Sequence, residues 1–162
     1  REHGLPSDGF DAAAMDELRR TGDKLAEVTA LAIDKGRGDQ KTLVLFLFKY
    51  VIQYSFYYTD LDRFVVSCTP RHAAFYESII RFKRVNRPTR YEYVNVEAQL
   101  LTLNLVSAHQ LLAEHYEAPE NPNNFYRFFM VEEHPNLQFP PPQLMHRQRN
   151  VNWVAKAQQL HT

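Results

Sequence analysis

The chain has 162 residues, 44% of them hydrophobic and 23% charged, proportions that suit one globular domain with a real core. Nineteen lysines and arginines match nineteen aspartates and glutamates, so net charge selects neither an acidic nor a basic partner. The single cysteine, Cys68, excludes an internal disulfide and predicts a reducing, cytoplasmic setting.

The opening, Arg1 to Gly9, is polar, carries Gly4, Pro6 and Gly9, and reads as a loop. It shows no signal-peptide pattern and no initial methionine, so the chain reads as a fragment or a trimmed protein. Asp11 is placed to cap a helix over Ala12–Arg20 that stops at Gly22. Phe10, Ala14 and Leu18, four apart, give that helix one narrow apolar stripe.

Leu25 to Ile33 reads as a strand of small residues. Ala26, Val28, Ala30 and Ala32 lie on one face, and Glu27, Thr29, Leu31 and Ile33 on the other. The Gly-bearing turn Asp34–Asp39 then opens a long apolar helix, predicted from Thr42 to Tyr58. Lys49, Gln53 and Tyr57 make a polar stripe on it, so the helix is expected to be buried on most sides and wet along that line. Its unbroken apolar run is only six residues, which argues against a membrane span. A second strand, Arg63–Thr69, leads through Pro70-Arg71-His72 into a helix over Ala73–Ile80. Strand, turn, helix and strand in that order predict a parallel pair with a crossover helix, whose N-terminus is a natural seat for a phosphate.

Beyond Ile80 come Phe82–Val85, a proline turn at Asn86–Thr89, a strand at Gln99–Val106, and a helix over Ala108–His115 capped by Ser107. The rest is aromatic and then proline-rich, with a final twenty residues that read as an arm or as partly disordered. The expected division is 1–24, 25–116 and 117–162. Between Arg71 and Arg90 six basic residues (Arg71, Arg81, Lys83, Arg84, Arg87, Arg90) face one acid, Glu77. That run is either a face for an acidic partner or a scattered solvated surface.

Cys68 and His72, four apart, allow a nucleophile with its base, or a packed thiol beside a helix start. The seven histidines have no ligand spacing, so no metal site is expected. Basic and aromatic residues alternate near Arg81–Tyr93 without a nucleic-acid-binding motif, so no nucleic acid partner is expected either.

The words Ala26-Glu-Val-Thr-Ala-Leu-Ala-Ile33 and Thr69-Pro-Arg-His-Ala-Ala-Phe-Tyr76, with Leu100-Leu-Thr-Leu-Asn-Leu105 after Tyr93-Val-Asn95, resemble a known group. They look like the second half of a GNAT-type (acyl-CoA N-acyltransferase) fold. More specifically they resemble the bacterial long-chain N-acyl amino acid synthases and exosortase-associated acyltransferases, relatives of the acyl-homoserine lactone synthases. The likeness runs from about Leu5 to His115. It implies an α/β domain, a mixed sheet flanked by helices, of which this chain would hold the C-terminal part.

The implied reaction is transfer of a long-chain fatty acyl group from an acyl carrier, protein or coenzyme A, to the amine of an amino acid. A lactone-synthase-like signal synthase and a non-catalytic module binding acyl-pantetheine or a partner stay open as alternatives. By the same resemblance Glu27 is the base, and Tyr76 protonates the leaving thiolate. Read as residues alone, Glu27 is equally a strand residue reaching solvent, and Tyr76 a core aromatic beside Phe75. No cofactor is expected to be held. The acyl-pantetheine co-substrate would meet Leu31, Ala32 and Ile33 at the strand end, and Lys35, Arg37 and Gly38 in the turn.

The chain departs from the GNAT pyrophosphate loop, since Lys35, Gly38 and Gln40 stand where Arg or Gln, Gly, and Gly or Ala are usual. Asp39 would also repel a diphosphate at the helix start. Acyl carrier protein, with a single phosphodiester and an acidic surface, is therefore the expected donor, docking on Arg71, Arg81, Lys83 and Arg84.

Overall fold

Arg63-Phe-Val-Val-Ser-Cys68 carries three consecutive apolar residues, the pattern of a strand covered on both faces. In the computed structural model it is β2 (Arg63–Cys68), with Phe64, Val65 and Val66 all buried. The structure describes residues 4–29, 36, 39–92, 95–116 and 124–132. The chain forms two compact units, residues 1–32 with 61–112 and residues 33–60 with 113–162.

In the first unit, β1 (Leu25–Glu27) runs parallel to β2, with Glu27 opposite Val65. This is the predicted parallel pair. One further bond, from the Val28 N–H to the Val65 carbonyl at 2.9 Å, is the last between the two among the described residues, while β2 continues to Cys68. The predicted strand to Ile33 is thus shorter within the described residues, which break off at Ala30. Three more strands follow, β3 (Lys83–Arg84), β4 (Thr89–Tyr91) and β5 (Val96–Asn104). β5 lies antiparallel to β2, placing Leu100 opposite Ser67 and Gln99 opposite Cys68. β3 and β4 also pair antiparallel with β5, in the order β1-β2-β5-β3.

Both faces of this sheet are covered within the same unit. Val65 and Leu100 point to the face where α1 (Ala12–Arg20) lays Met15 and Leu18, with Phe10 and Ala14 at the margin. Asp11 caps α1 by accepting the Ala14 N–H at 3.0 Å, and Gly22 leaves it with φ +78°. A lost cap of this kind costs about 1 kcal/mol. Met15, absent from the predicted stripe, is its most buried member because the stripe is wider than a strict spacing of four. On the other face α3 (Pro70–Phe75) packs on β5 and runs into a π-turn, Tyr76–Ile80.

The opening is not a plain loop. Pro6–Gly9 makes a 3-10 turn whose Asp8 carboxylate accepts the Leu5 N–H and bonds from Nη1 and Nη2 of Arg19, at 2.6 and 2.7 Å. The predicted turn after Asn86 ends in β4 instead, because Thr89–Tyr91 finds a pairing edge on β5. The following helix, α4 (Leu105–Tyr116), starts earlier than predicted, since Asn104 rather than Ser107 supplies the capping oxygen, accepting the Ser107 N–H at 2.9 Å.

In the second unit α2 (Gln40–Tyr58) packs against a π-turn, Arg127–Val131. Its orientation corrects the expectation. Lys49 is 1% exposed and Gln53 is buried, whereas Leu43, Leu47, Tyr50 and Tyr54 are each 39–45% exposed. The polar stripe faces inward because it has partners there. Gln53 Nε2 donates to the Phe129 carbonyl at 3.1 Å, and Lys49 Nζ sits 4.6 Å from the centre of the Phe128 ring. Burial pushes the Lys49 pKa down, with Glu132 acting in the opposite sense. The side chain of Tyr57 lies outside the described residues. Among the described residues no helix is long and apolar enough to cross a membrane.

Candidate active site

The parallel register of β1 and β2 puts Glu27, Val65 and Ser67 on the same side of the sheet. The 3-10 turn of Pro6–Gly9 approaches from that side and meets Glu27 through one residue. The Ser7 N–H donates to Glu27 Oε2 at 2.8 Å and the Ser7 hydroxyl donates to Oε1 at 2.7 Å. Ser7 Oγ is also 2.6 Å from Ser67 Oγ. Ser7 itself is 1% exposed, and Glu27 and Ser67 are half-buried.

Charge-assisted hydrogen bonds contribute about 1.5–3 kcal/mol each. Two of them exceed the roughly 1.5–2 kcal/mol of rotamer entropy a glutamate loses on being fixed. Glu27 is therefore a held carboxylate, and not a strand residue swinging in solvent. Each of its oxygens keeps a second lone pair for another donor.

On the opposite side of β2, one residue further on, Cys68 meets Tyr76. The Tyr76 ring is buried edge-on between Phe75 and Phe82, with centroids 5.6 and 5.7 Å away. Burial raises its phenol pKa, and Cys68 adds to the rise. The Cys68 thiol is pushed up to about 11, first by burial and then by Glu77, with Arg84 opposing. At neutral pH it is a protonated, packed thiol, the weaker form for nucleophilic attack. His72 is exposed, and its Nδ1 lies 3.2 Å from Thr69 Oγ1, at the start of α3. The pair is no nucleophile and base.

The two predicted catalytic residues are thus brought to neighbouring positions of one strand end, Glu27 through Ser67 and Tyr76 through Cys68, but from opposite faces. Leu31, Ala32, Ile33, Lys35, Arg37 and Gly38 lie outside the described residues. The adjoining helix start is described. Asp39 caps α2, its carboxylate accepting the Lys41 N–H at 3.0 Å and the Thr42 hydroxyl at 2.7 Å. Those bonds, the Thr42 hydroxyl first, hold its pKa below the usual carboxylate value.

Of the basic run, Arg71, Lys83, Arg84, Arg87 and Arg90 are exposed and Arg81 is half-buried in the left-handed region, φ 69°. Arg84 is paired with Glu77 through two bonds of 2.7 and 2.8 Å.

The sequence and the fold have a counterpart among known proteins. The sequence profile of the N-acyl amino acid synthase FeeM family matches residues 1–104. The chain belongs to this family. A solved FeeM structure, described as an N-acyl amino acid synthase from uncultured soil microbes, is similar at 30% identity and a TM-score of 0.61. The match covers 69% of this chain and 61% of that one, so the chain spans less than two thirds of the FeeM protein it resembles. No curated protein sequence matches. The mixed α/β sheet flanked by helices is accordingly the acyltransferase fold of the FeeM family.

Ser7 and Ser67 are the partners of Glu27 that sequence reasoning missed. Ser7 lies 20 residues from Glu27 and 60 from Ser67, and no local pattern joins them. Glu27 alone carried a readable signal, a carboxylate among apolar neighbours on one strand face.

Proposed function

We propose that the protein is an N-acyltransferase that moves a long-chain fatty acyl group from acyl carrier protein to the amine of an amino acid. The observation that carries this reading is the Glu27 carboxylate, fixed by two hydrogen bonds at the carboxyl end of a parallel strand pair. It is joined there by membership in the FeeM family. Ligands of open α/β sheets bind outside the carboxyl ends of parallel strands, and there Glu27 and Tyr76 would flank a thioester from two sides.

In this mechanism the amine attacks the thioester carbonyl and loses its proton to Glu27. The amides of Leu31, Ala32 and Ile33 serve the carbonyl oxygen and the pantetheine arm. The C–S electron pair leaves with sulfur, and the neutral Tyr76 phenol donates a proton to the thiolate. Lys35, Arg37 and Gly38 take the phosphate.

Carrier protein is the favoured donor because Asp39 already occupies the start of α2 with a carboxylate. The exposed Arg71, Lys83 and Arg84, with Arg81 between them in sequence, supply a surface for an acidic carrier. A cytoplasmic, bacterial setting goes with such a carrier.

The test is an assay of the full-length protein with hexadecanoyl carrier protein or hexadecanoyl coenzyme A and each of the twenty amino acids, read by mass spectrometry. N-acyl amino acid should form, faster from the carrier. The triple reversal Arg81→Glu, Lys83→Glu, Arg84→Glu should raise KM for carrier roughly tenfold or more and KM for coenzyme A far less, with added salt acting in the same direction. Equal effects on both donors would remove carrier docking from the reading. Carrier binding without product from any amino acid would replace the enzyme with a binding module.

A further inference from the structure

We infer that Ser67 takes the proton from the acceptor amine and that Ser7 passes it on to Glu27, so that the base works through a two-hydroxyl chain. This rests on the synthase reading above and adds to it the residue that meets the amine.

The polarity of the chain follows from counting protons. A carboxylate only accepts hydrogen bonds, so the Ser7 hydroxyl proton is committed to Glu27 Oε1. Ser7 then has no proton left for its 2.6 Å contact with Ser67, and Ser67 must be the donor there. With its own proton committed, Ser67 Oγ presents only lone pairs to anything else. That end complements an N–H donor such as an amine, and it repels a carbonyl oxygen or an oxyanion.

Position points the same way. Ser7 is inaccessible, and it covers one lone pair on each Glu27 oxygen. Ser67 is half-buried and stands two residues beyond Val65, the last β2 residue paired with β1 among the described residues. It is the member of the three that lies furthest toward the carboxyl ends of the two parallel strands. The chain is also held independently of Glu27, because Asp8, next to Ser7, is fixed to Arg19 and to the Leu5 N–H.

The step balances as follows. The amine nitrogen forms the C–N bond with its lone pair, and the thioester C–S pair departs with sulfur. The N–H proton moves to Ser67 Oγ, the Ser67 proton to Ser7 Oγ, and the Ser7 proton to Glu27 Oε1. Glu27, now a neutral acid, releases its proton to solvent, and both hydroxyls rotate back to their starting direction. Ser67 is the catalytic residue in this scheme, since it touches the substrate, and Ser7 is a positioning residue.

The experiment uses the full-length protein with hexadecanoyl carrier protein and the amino acid that gives most product. Ser67→Ala should lower kcat roughly 100-fold, the low end of the range for a lost acid–base group, without raising KM for the donor. Ser67→Thr, which keeps the hydroxyl on a strand, should recover most of the rate. In mixtures of light and heavy water the wild-type rate should curve with deuterium fraction, as expected for several protons moving together. The Ser67→Ala rate should fall on a straight line. Ser7→Thr should hold the curvature and Ser7→Ala should lose it, provided that both melt like wild type. If Ser7→Ala unfolds, the Ser67 variants decide alone. Product formation with a Ser67→Ala rate equal to wild type, or with an unchanged curve, overturns the relay and leaves the synthase reading intact. Absence of product from wild type with any amino acid overturns both.

Discussion

Glu27 and Lys49 are charged side chains held within different compact units, and they are held in opposite ways. Glu27 accepts two hydrogen bonds from Ser7 at 2.7 and 2.8 Å, and a second serine follows behind. Lys49 is nearly inaccessible, with the face of Phe128 at 4.6 Å and the Glu132 charge further off, and among the described residues it makes no hydrogen bond or ion pair. The first arrangement fixes a charge in place and leaves lone pairs for use. The second desolvates a charge with little return, which lowers stability. A buried or half-buried charge is thus informative only together with its partners.

The sharpest way to break this contrast is Glu27→Gln. The amide keeps the shape but is a far weaker base, so kcat should fall roughly a hundredfold or more, with donor KM almost unchanged. Raising pH should restore part of the rate, because more amine then arrives unprotonated. An unchanged kcat would reduce Glu27 to a latch for the opening turn, the same structural rank as Lys49.

Tyr76→Phe tests the opposite face of β2 and should cost less, roughly three- to tenfold in kcat, because a thiolate leaves tolerably without full protonation. Burial keeps the phenol protonated beyond its ordinary 10.0. The ratio of variant to wild type should therefore be flat from pH 6 to 9 if the phenol is the acid. A ratio that drifts within that window would assign the acid to another group.

The smallest effect is on stability, and its sign is unusual. The Lys49 pKa is lowered from 10.5, so between its lowered value and 10.5 the unfolded chain binds a proton that the folded chain does not. The stability contributed by this group rises with pH across that window, and the penalty is complete below it. Lys49→Met, which keeps length without charge, should raise Tm by about 2–4 °C at neutral pH if about 1 kcal/mol is recovered. The gain should shrink as pH approaches 10.5. A melting series of both proteins against pH reads it directly, and a loss of stability would give Lys49 an undetected partner.

Local signals reported themselves well in the sequence. The Asp11 cap and the Gly22 stop rest on residues a few positions apart, and the parallel pair of β1 and β2, 38 residues apart in sequence, was legible from the order strand, turn, helix, strand. Glu27 also stood out there, as a carboxylate on an apolar strand face. What stayed hidden depends on distant partners. The periodicity of α2 places Lys49 and Gln53 on one stripe, but only the π-turn at Arg127–Val131, with its Phe128 ring and Phe129 carbonyl, turns that stripe inward. Ser7 sat in a segment with every mark of a loop, and its use appears only when a chain excursion of 20 residues returns β1 beside it. β4 hid in a turn-rich stretch because an edge for pairing is supplied by β5, not by its own residues.

The Asp39 cap has a consequence for inhibition. At the head of α2 the chain carries its own anion, bonded to the Lys41 amide and the Thr42 hydroxyl and ionised below the usual carboxylate range. Any phosphate arriving there competes with a tethered rival that is always present and never diffuses away. Such a resident competitor raises the threshold for every soluble phosphate alike, so free nucleotides and inorganic phosphate at cellular abundance would find this helix end already taken.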